Sequence, residues 1–205
     1  MGTLNVDAIN DAAGSITALD VTTQIGIWQF VSTAGLTTAA LVSITGIAAG
    51  YDYVVQFEGI CPTTDANTLV MRMSDDGGSS YEAGASDYEW TVGDNNASDV
   101  ADSEIEFIAS TNIGNDSGNR GNYLVTIINP GSSSFETDVY GETYYDNKAA
   151  TPIRKSNHFA GTYIGGTSGA GTAAINAVQF GWLTNYGTNT FKAQGNVTVW
   201  RRRRS

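Results

Sequence analysis

Residues 51–58 read YDYVVQFE, and this stretch decides the class of fold. Tyr53, Val55 and Phe57 fall on one side of an extended chain, with Asp52, Val54, Gln56 and Glu58 on the other. Alternation of period two, carried by β-branched and aromatic residues, marks a strand. The pattern spreads in both directions. Thr68–Met73 sets Leu69, Met71 and Met73 opposite Val70 and Arg72, and Glu104–Ile108 turns Ile105 and Phe107 inward. Gln24–Val31 and Ala40–Thr45 are rich in β-formers. Tyr123–Ile128 (YLVTII) is more continuously apolar, as expected of a strand buried on both faces. Phe135–Tyr145, Ala174–Trp182 and Val197–Trp200 complete the set, with further strand material near Tyr88-Glu89-Trp90. Gly, Asn, Asp and Ser separate these runs. The alanines of 170–178 lead straight into QFGWL and read as strand, leaving no convincing helix. The expectation is an all-β, antiparallel, jelly-roll-like β-sandwich.

The chain divides into three zones. Residues 1–20 carry too little apolar surface to pack alone and read as an N-terminal anchoring arm, with Leu4, Val6 and Ile9 as its contacts. Residues 21–200 form the sandwich, and 201–205 a basic C-terminal tail. The length of 205 residues suits one domain with a real core. The net charge of −11 favours solubility and argues against general nucleic-acid binding. That charge is divided. Residues 1–146 hold all 21 acidic residues, with Arg72 and Arg120 their only cations, and residues 147–205 hold the remaining basic residues and no acid. Arg201, Arg202, Arg203 and Arg204 are therefore candidates for docking on an acidic surface, either of a neighbour or of the same chain. No basic-then-apolar leader follows Met1, and no apolar run reaches the roughly 18 residues needed to cross a membrane, so membrane insertion is not expected.

The chemistry is sparse. Asp75 and Asp76 precede Gly77 and Gly78. Neighbouring carboxylates on a strand diverge, whereas Asp and Gly favour tight turns, so a hairpin turn is expected there. Calcium is the alternative for this pair, and for Asp94, Asp99 and Asp102 in the acidic loop that follows. The phosphate-loop, nucleophile-elbow and zinc-protease motifs are missing. The glycine-rich 165–171 (GGTSGAG) reads as a loop. Cys61 reads as a small buried residue, and His158 is the single histidine. Catalysis, a cofactor and a resident metal are therefore not expected. Tyr81, Tyr88, Trp90, Tyr140, Tyr144 and Tyr145 stand beside polar residues. Such rings either cap the ends of the core or contact ligand. Tyr81, Tyr88, Trp90, Tyr144 and Tyr145 are the glycan or receptor candidates.

Three stretches resemble tailed-bacteriophage virion accessory proteins. TLNVDAINDAAGS (3–15) resembles the short segment with which many such proteins begin. LVMRMSDDGGSSYEAGASDYEW (69–90) resembles a tail-fibre or accessory β-sandwich module whose strand ends in a hairpin. AAINAVQFGW (173–182) with GNVTVW (195–200) resembles the closing strands of the same modules. The ending RRRRS departs from that pattern, and no fibrous shaft is present in the sequence. The resemblance implies a non-enzymatic virion structural protein, homo-oligomeric with a trimer favoured, bound to other virion proteins and in contact with a host-surface glycan. A capsid cement or decoration protein and a free carbohydrate-binding module are the alternatives.

Overall fold

The computed structural model describes residues 27–93, 97–108, 113–116, 118–147, 153–165 and 173–204. Among them the chain is all-β, with these strands in order: β1 (Gln29–Gly35), β2 (Leu41–Thr45), β3 (Tyr51–Ile60), β4 (Leu69–Ser74), β5 (Tyr88–Val92), β6 (Ala97–Asp102), β7 (Ile105–Glu106), β8 (Gly121–Ile128), β9 (Thr137–Asp146), β10 (Arg154–Tyr163), β11 (Ala177–Trp182) and β12 (Asn196–Arg203). They form two antiparallel sheets. The larger has the order β1-β12-β3-β8-β9-β10-β5-β6, and the smaller β2-β11-β4-β7. The chain changes sheet after β1, β2, β3, β4, β6, β7, β10 and β11.

The alternation of residues 51–58 places Tyr53, Val55 and Phe57 in the core, as expected. Phe57 meets Phe180 of β11 edge-on at 4.9 Å, and Phe107 packs on Phe159 of β10 at 4.4 Å. These contacts set β11 beneath β3 and the end of β7 beneath β10, so the two sheets run in the same order across one core. Fully burying each such aromatic or aliphatic side chain contributes about 1.5–3 kcal/mol.

Four expectations are corrected. The stretch 74–90 is not a hairpin. Strand β4 is already paired on both sides, by β11 and β7, so β5 has no edge to join and pairs with β10 in the other sheet. Residues 75–87 cross between the sheets. Second, the arginines are not a tail. Strand β12 runs through Arg203 beside β3, and the Arg204 amide donates to Gly50 O at 2.9 Å. Third, the acidic loop is partly strand, since Ala97–Asp102 pairs with β5. Fourth, Gln24–Val31 is shifted: β1 starts at Gln29 and continues to Gly35, and residues 24–26 lie outside the described residues. Strand β10 has no counterpart in the sequence reading. Its core-facing positions include Asn157 and Gly161, which blunt the apolar alternation.

The outer face of the smaller sheet carries a polar network. Arg72 donates from Nη2 and Nε to Glu104 Oε2 at 2.7 and 3.2 Å, and its guanidinium lies 4.0 Å from the centre of the Tyr186 ring. Ser103 Oγ donates to the same Glu104 oxygen at 2.7 Å. Tyr186 OH donates to Gln179 Oε1 at 3.1 Å, which fixes the ring over the sheet. Nearby, burial and the carboxylates of Asp102, Glu104 and Asp99 push Glu106 up to about 7.

The sign of the Glu106 effect follows from linkage. A carboxyl raised on folding contributes stability below its unfolded value near 4.5, and that contribution is lost as pH rises to about 7. With solvent screening of this part-exposed group, the loss is roughly 1–2 kcal/mol. Glu106→Gln is therefore expected to stabilise the protein by that amount at pH 8 and to make no difference at pH 4. Urea unfolding at both pH values checks this, and an equal effect at the two would contradict it.

Candidate functional site

The outward face of the larger sheet bears a groove of about 590 Å³ over β9, β10, β5 and β6. That volume lies in the range of small-ligand sites. Its shape follows from the register. Tyr140, Ala160, Thr91 and Ser98 stand in one cross-strand row, and Asp138, Thr162 and Glu89 in the next. Ala160, outward-facing and small, keeps the floor low between Tyr140 on one side and β6 on the other. A register shift between Tyr88 and Trp90 bends the β5–β6 pair. Trp90 Nε1 donates to Asp102 Oδ2 at 2.9 Å and ties β6 to β5 beside the groove.

Glu89, Asp99, Glu136 and Asp138 line the groove, and among the described residues no Lys or Arg does. The Tyr140 ring is 49 % exposed. Thr162 is buried and donates from Oγ1 to Thr137 O at 3.1 Å, so its hydroxyl serves the strand pairing. The lining thus offers carboxylate acceptors beside one exposed aromatic face. Such a surface accepts hydrogen bonds from hydroxyl or cationic donors and stacks a flat or sugar-like ring.

The five aromatic candidates do not converge. Tyr88 is fully buried; its OH accepts from Met73 N at 2.7 Å and donates to Glu82 O at 3.1 Å, pinning the crossover. Burial raises its pKa. Tyr145 is buried, and Trp90 nearly so. Rings without accessible surface cannot meet a glycan, which removes Tyr88 and Tyr145 as contacts. The alternation Tyr88, Trp90, Val92 against Glu89, Thr91 was itself the signal that these rings point inward. Tyr81 is half-buried. Tyr144 is exposed and donates to Glu142 Oε2 at 2.8 Å, outside the groove lining. Glu89, Glu136 and Asp138 were not singled out by sequence, because the groove needs β10, which the sequence did not reveal.

The acidic pair forms a turn. Asp76 accepts from Ser74 Oγ at 2.7 Å, Ser80 N at 3.0 Å and Ser80 Oγ at 2.7 Å, and these bonds lower its pKa. Gly77 and Gly78 take φ of 81° and 88°, the left-handed region that glycine adopts freely. Asn176 braces the turn, accepting from Gly77 N and donating to Asp75 O, each at 2.6 Å. Asp99 accepts from Ala101 N, and Asp102 from Trp90 and Ser103 N, while Asp94 lies outside the described residues. Among the described residues no group of three or more His, Cys, Asp or Glu is placed to hold a metal ion.

Arg202 and Arg204 pair within their own chain. Asp52, buried opposite Arg202 on β3, receives Arg202 Nε at 3.2 Å and lies 3.6 Å from Arg204 Nε. Arg204 also bonds Asn129 Oδ1. Arg201 stacks over Tyr51, and Arg202 over Trp28. Arg203 is exposed at the strand end. Leu4, Val6 and Ile9 lie outside the described residues. Cys61 is buried, and burial raises its thiol pKa, opposite to the shift that activates a nucleophile. No helix among the described residues is long and apolar enough to cross a membrane. No protein-family model, curated protein or solved structure matches this chain.

Proposed function

We propose that this chain is a non-enzymatic structural protein of a tailed-bacteriophage virion, of the tail-fibre or receptor-binding type. In this reading it is held to a larger assembly by its N-terminal arm and meets a host-surface glycan in the groove. The virion part rests on the resemblance of residues 3–15, 69–90, 173–182 and 195–200 to such modules. The recognition part is carried by one observation, the groove in which Tyr140 stands exposed among Glu89, Asp99, Glu136 and Asp138. Carboxylates beside an aromatic face suit a polyhydroxylated ligand. The decoration-protein alternative drew on free arginines to clamp neighbouring capsid subunits. Pairing of Arg202 and Arg204 with Asp52 takes two of them out of that role.

The test joins location to binding. Immunogold labelling of intact particles is expected to mark the tail tip. Calorimetric titration of the purified protein with host-surface glycan is expected to show binding that Tyr140→Ala weakens about tenfold. Label over the capsid would replace this reading with a decoration role. Glycan binding without label on any particle would replace it with a free carbohydrate-binding module.

A further inference from the structure

We propose, on the reading of the groove as a glycan site, that it selects a cationic sugar: one whose ring carries a free, protonated amine, held between Glu89 and Asp138 beside the exposed ring of Tyr140. Elsewhere the fold meets its acids with arginine, Arg202 and Arg204 at Asp52, Arg72 at Glu104 and Arg154 at Asp146. In the groove it does not. Glu89, Glu136 and Asp138 are exposed, and among the described residues none of the three makes a hydrogen bond or an ion pair. Register holds the cations at a distance. The strands beneath the groove carry Arg154 and Lys155, both at the far end of β10 from Ala160. Lys155, the nearer, is roughly 17 Å from Ala160 along the strand. The arginines of β12 stand three places from β9 in the sheet. His158 shares the outward face outside the groove lining, opposite Glu142.

The carboxylates are placed to act on one ligand. Asp138, Thr162 and Glu89 form a single row across β9, β10 and β5. Asp138 and Glu89 therefore flank Thr162, with about 9–10 Å between their backbones. In the adjoining row Ala160 leaves room beside the Tyr140 ring. Among the described residues the lining holds no Asn, Gln, His, Lys or Arg, and the Thr162 hydroxyl already donates to Thr137 O. The groove is thus rich in acceptors and poor in donors. An acetylated amino sugar presents a carbonyl that needs a donor, whereas an ammonium only donates. Its positive charge also answers unpaired carboxylates whose field a concave surface concentrates.

The experiment titrates the full chain calorimetrically with a glucosamine oligomer, with its N-acetylated counterpart of equal length and with spermine. It is run at about pH 6, where amines are protonated and carboxylates ionised. The free-amine oligomer is expected to bind at least about tenfold tighter than the acetylated one. Glu89→Gln with Asp138→Asn is expected to abolish that preference and to leave the acetylated oligomer within about twofold of its original affinity. Both positions are exposed, so the double variant is expected to stay folded. Glu58→Gln, at an exposed acid on β3 outside the lining, is expected to keep the preference. Equal affinity for the two oligomers would overturn the amine selectivity while the glycan reading stands. A preference lost equally in Glu58→Gln would assign it to the general acidity of the chain and overturn the groove as its source. Binding of neither oligomer would remove the glycan reading and the amino sugar with it. Spermine binding in their place, weakened by the double variant, would leave the groove a cation site without sugar.

Discussion

Arg72→Ala is expected to destabilise the protein by about 3–4 kcal/mol. Arg72 donates two hydrogen bonds to one oxygen of Glu104, whose side chain is 9 % exposed. Removing the guanidinium leaves that carboxylate buried with Ser103 Oγ as its remaining side-chain donor among the described residues. It also strips the cation from the face of Tyr186, a contact worth roughly 0.5–2 kcal/mol. For a domain of this size the loss corresponds to a fall in Tm of about 6–15 °C. The double variant Arg72→Met with Glu104→Gln is expected to recover most of it, because a buried pair is costly chiefly when one partner is left alone. Thermal and urea unfolding of the three proteins check this. A single-variant loss under about 1 kcal/mol would place the pair among ordinary surface ion pairs.

Gly141→Ala is expected to cost about 3 kcal/mol or more, at the upper end of overpacking penalties. Gly141 lies in β9 between β8 and β10, opposite Val125 and Phe159. A Cβ there would stand 1.8 Å from the Leu124 carbonyl oxygen and 2.8 Å from the Phe159 ring. The carbonyl belongs to a central strand and cannot move without breaking the β8–β9 pairing, next to the Tyr140 that borders the groove. Loss of soluble protein, or a steep fall in the urea midpoint, is the expected readout. Gly118→Ala is the control: a Cβ there meets nothing within 4 Å, and its effect is expected to stay within about 0.5 kcal/mol. Equal midpoints for the two variants would refute the close-approach account.

The split of charge along the chain also resolves at the level of contacts. The late basic residues serve the early acids of their own fold: Arg202 and Arg204 meet Asp52, and Arg154 meets Asp146 at 3.4 Å. Antiparallel pairing of β12 with β3 sets the last strand beside residues 51–58. Charges 150 positions apart in sequence thereby become cross-strand neighbours.

The class of fold was legible in the residues because burial on one face of a strand writes itself as period two. Residues 51–58, 68–73 and 104–108 each carried that period, and the faces of Tyr53, Leu69 and Ile105 are buried, although Asp52, Val70 and Ile108 on the opposite faces are buried as well. Turn chemistry was legible for the same kind of local reason: Asp76, Gly77 and Gly78 meet the demands of a turn among residues 74–80. What lay beyond local pattern was partner choice. Whether the strand after the turn returns to β4 or crosses to β10 depends on which edges remain open, and β11 and β7 had taken both edges of β4. The pairing of the arginines and the existence of the groove depend on that choice. Sequence by itself determined that this chain alternates, turns and folds as an antiparallel sandwich. Only the tertiary structure decided which strands lie side by side, because hydrogen bonding between strands joins residues far apart in the chain and carries no sequence period of its own.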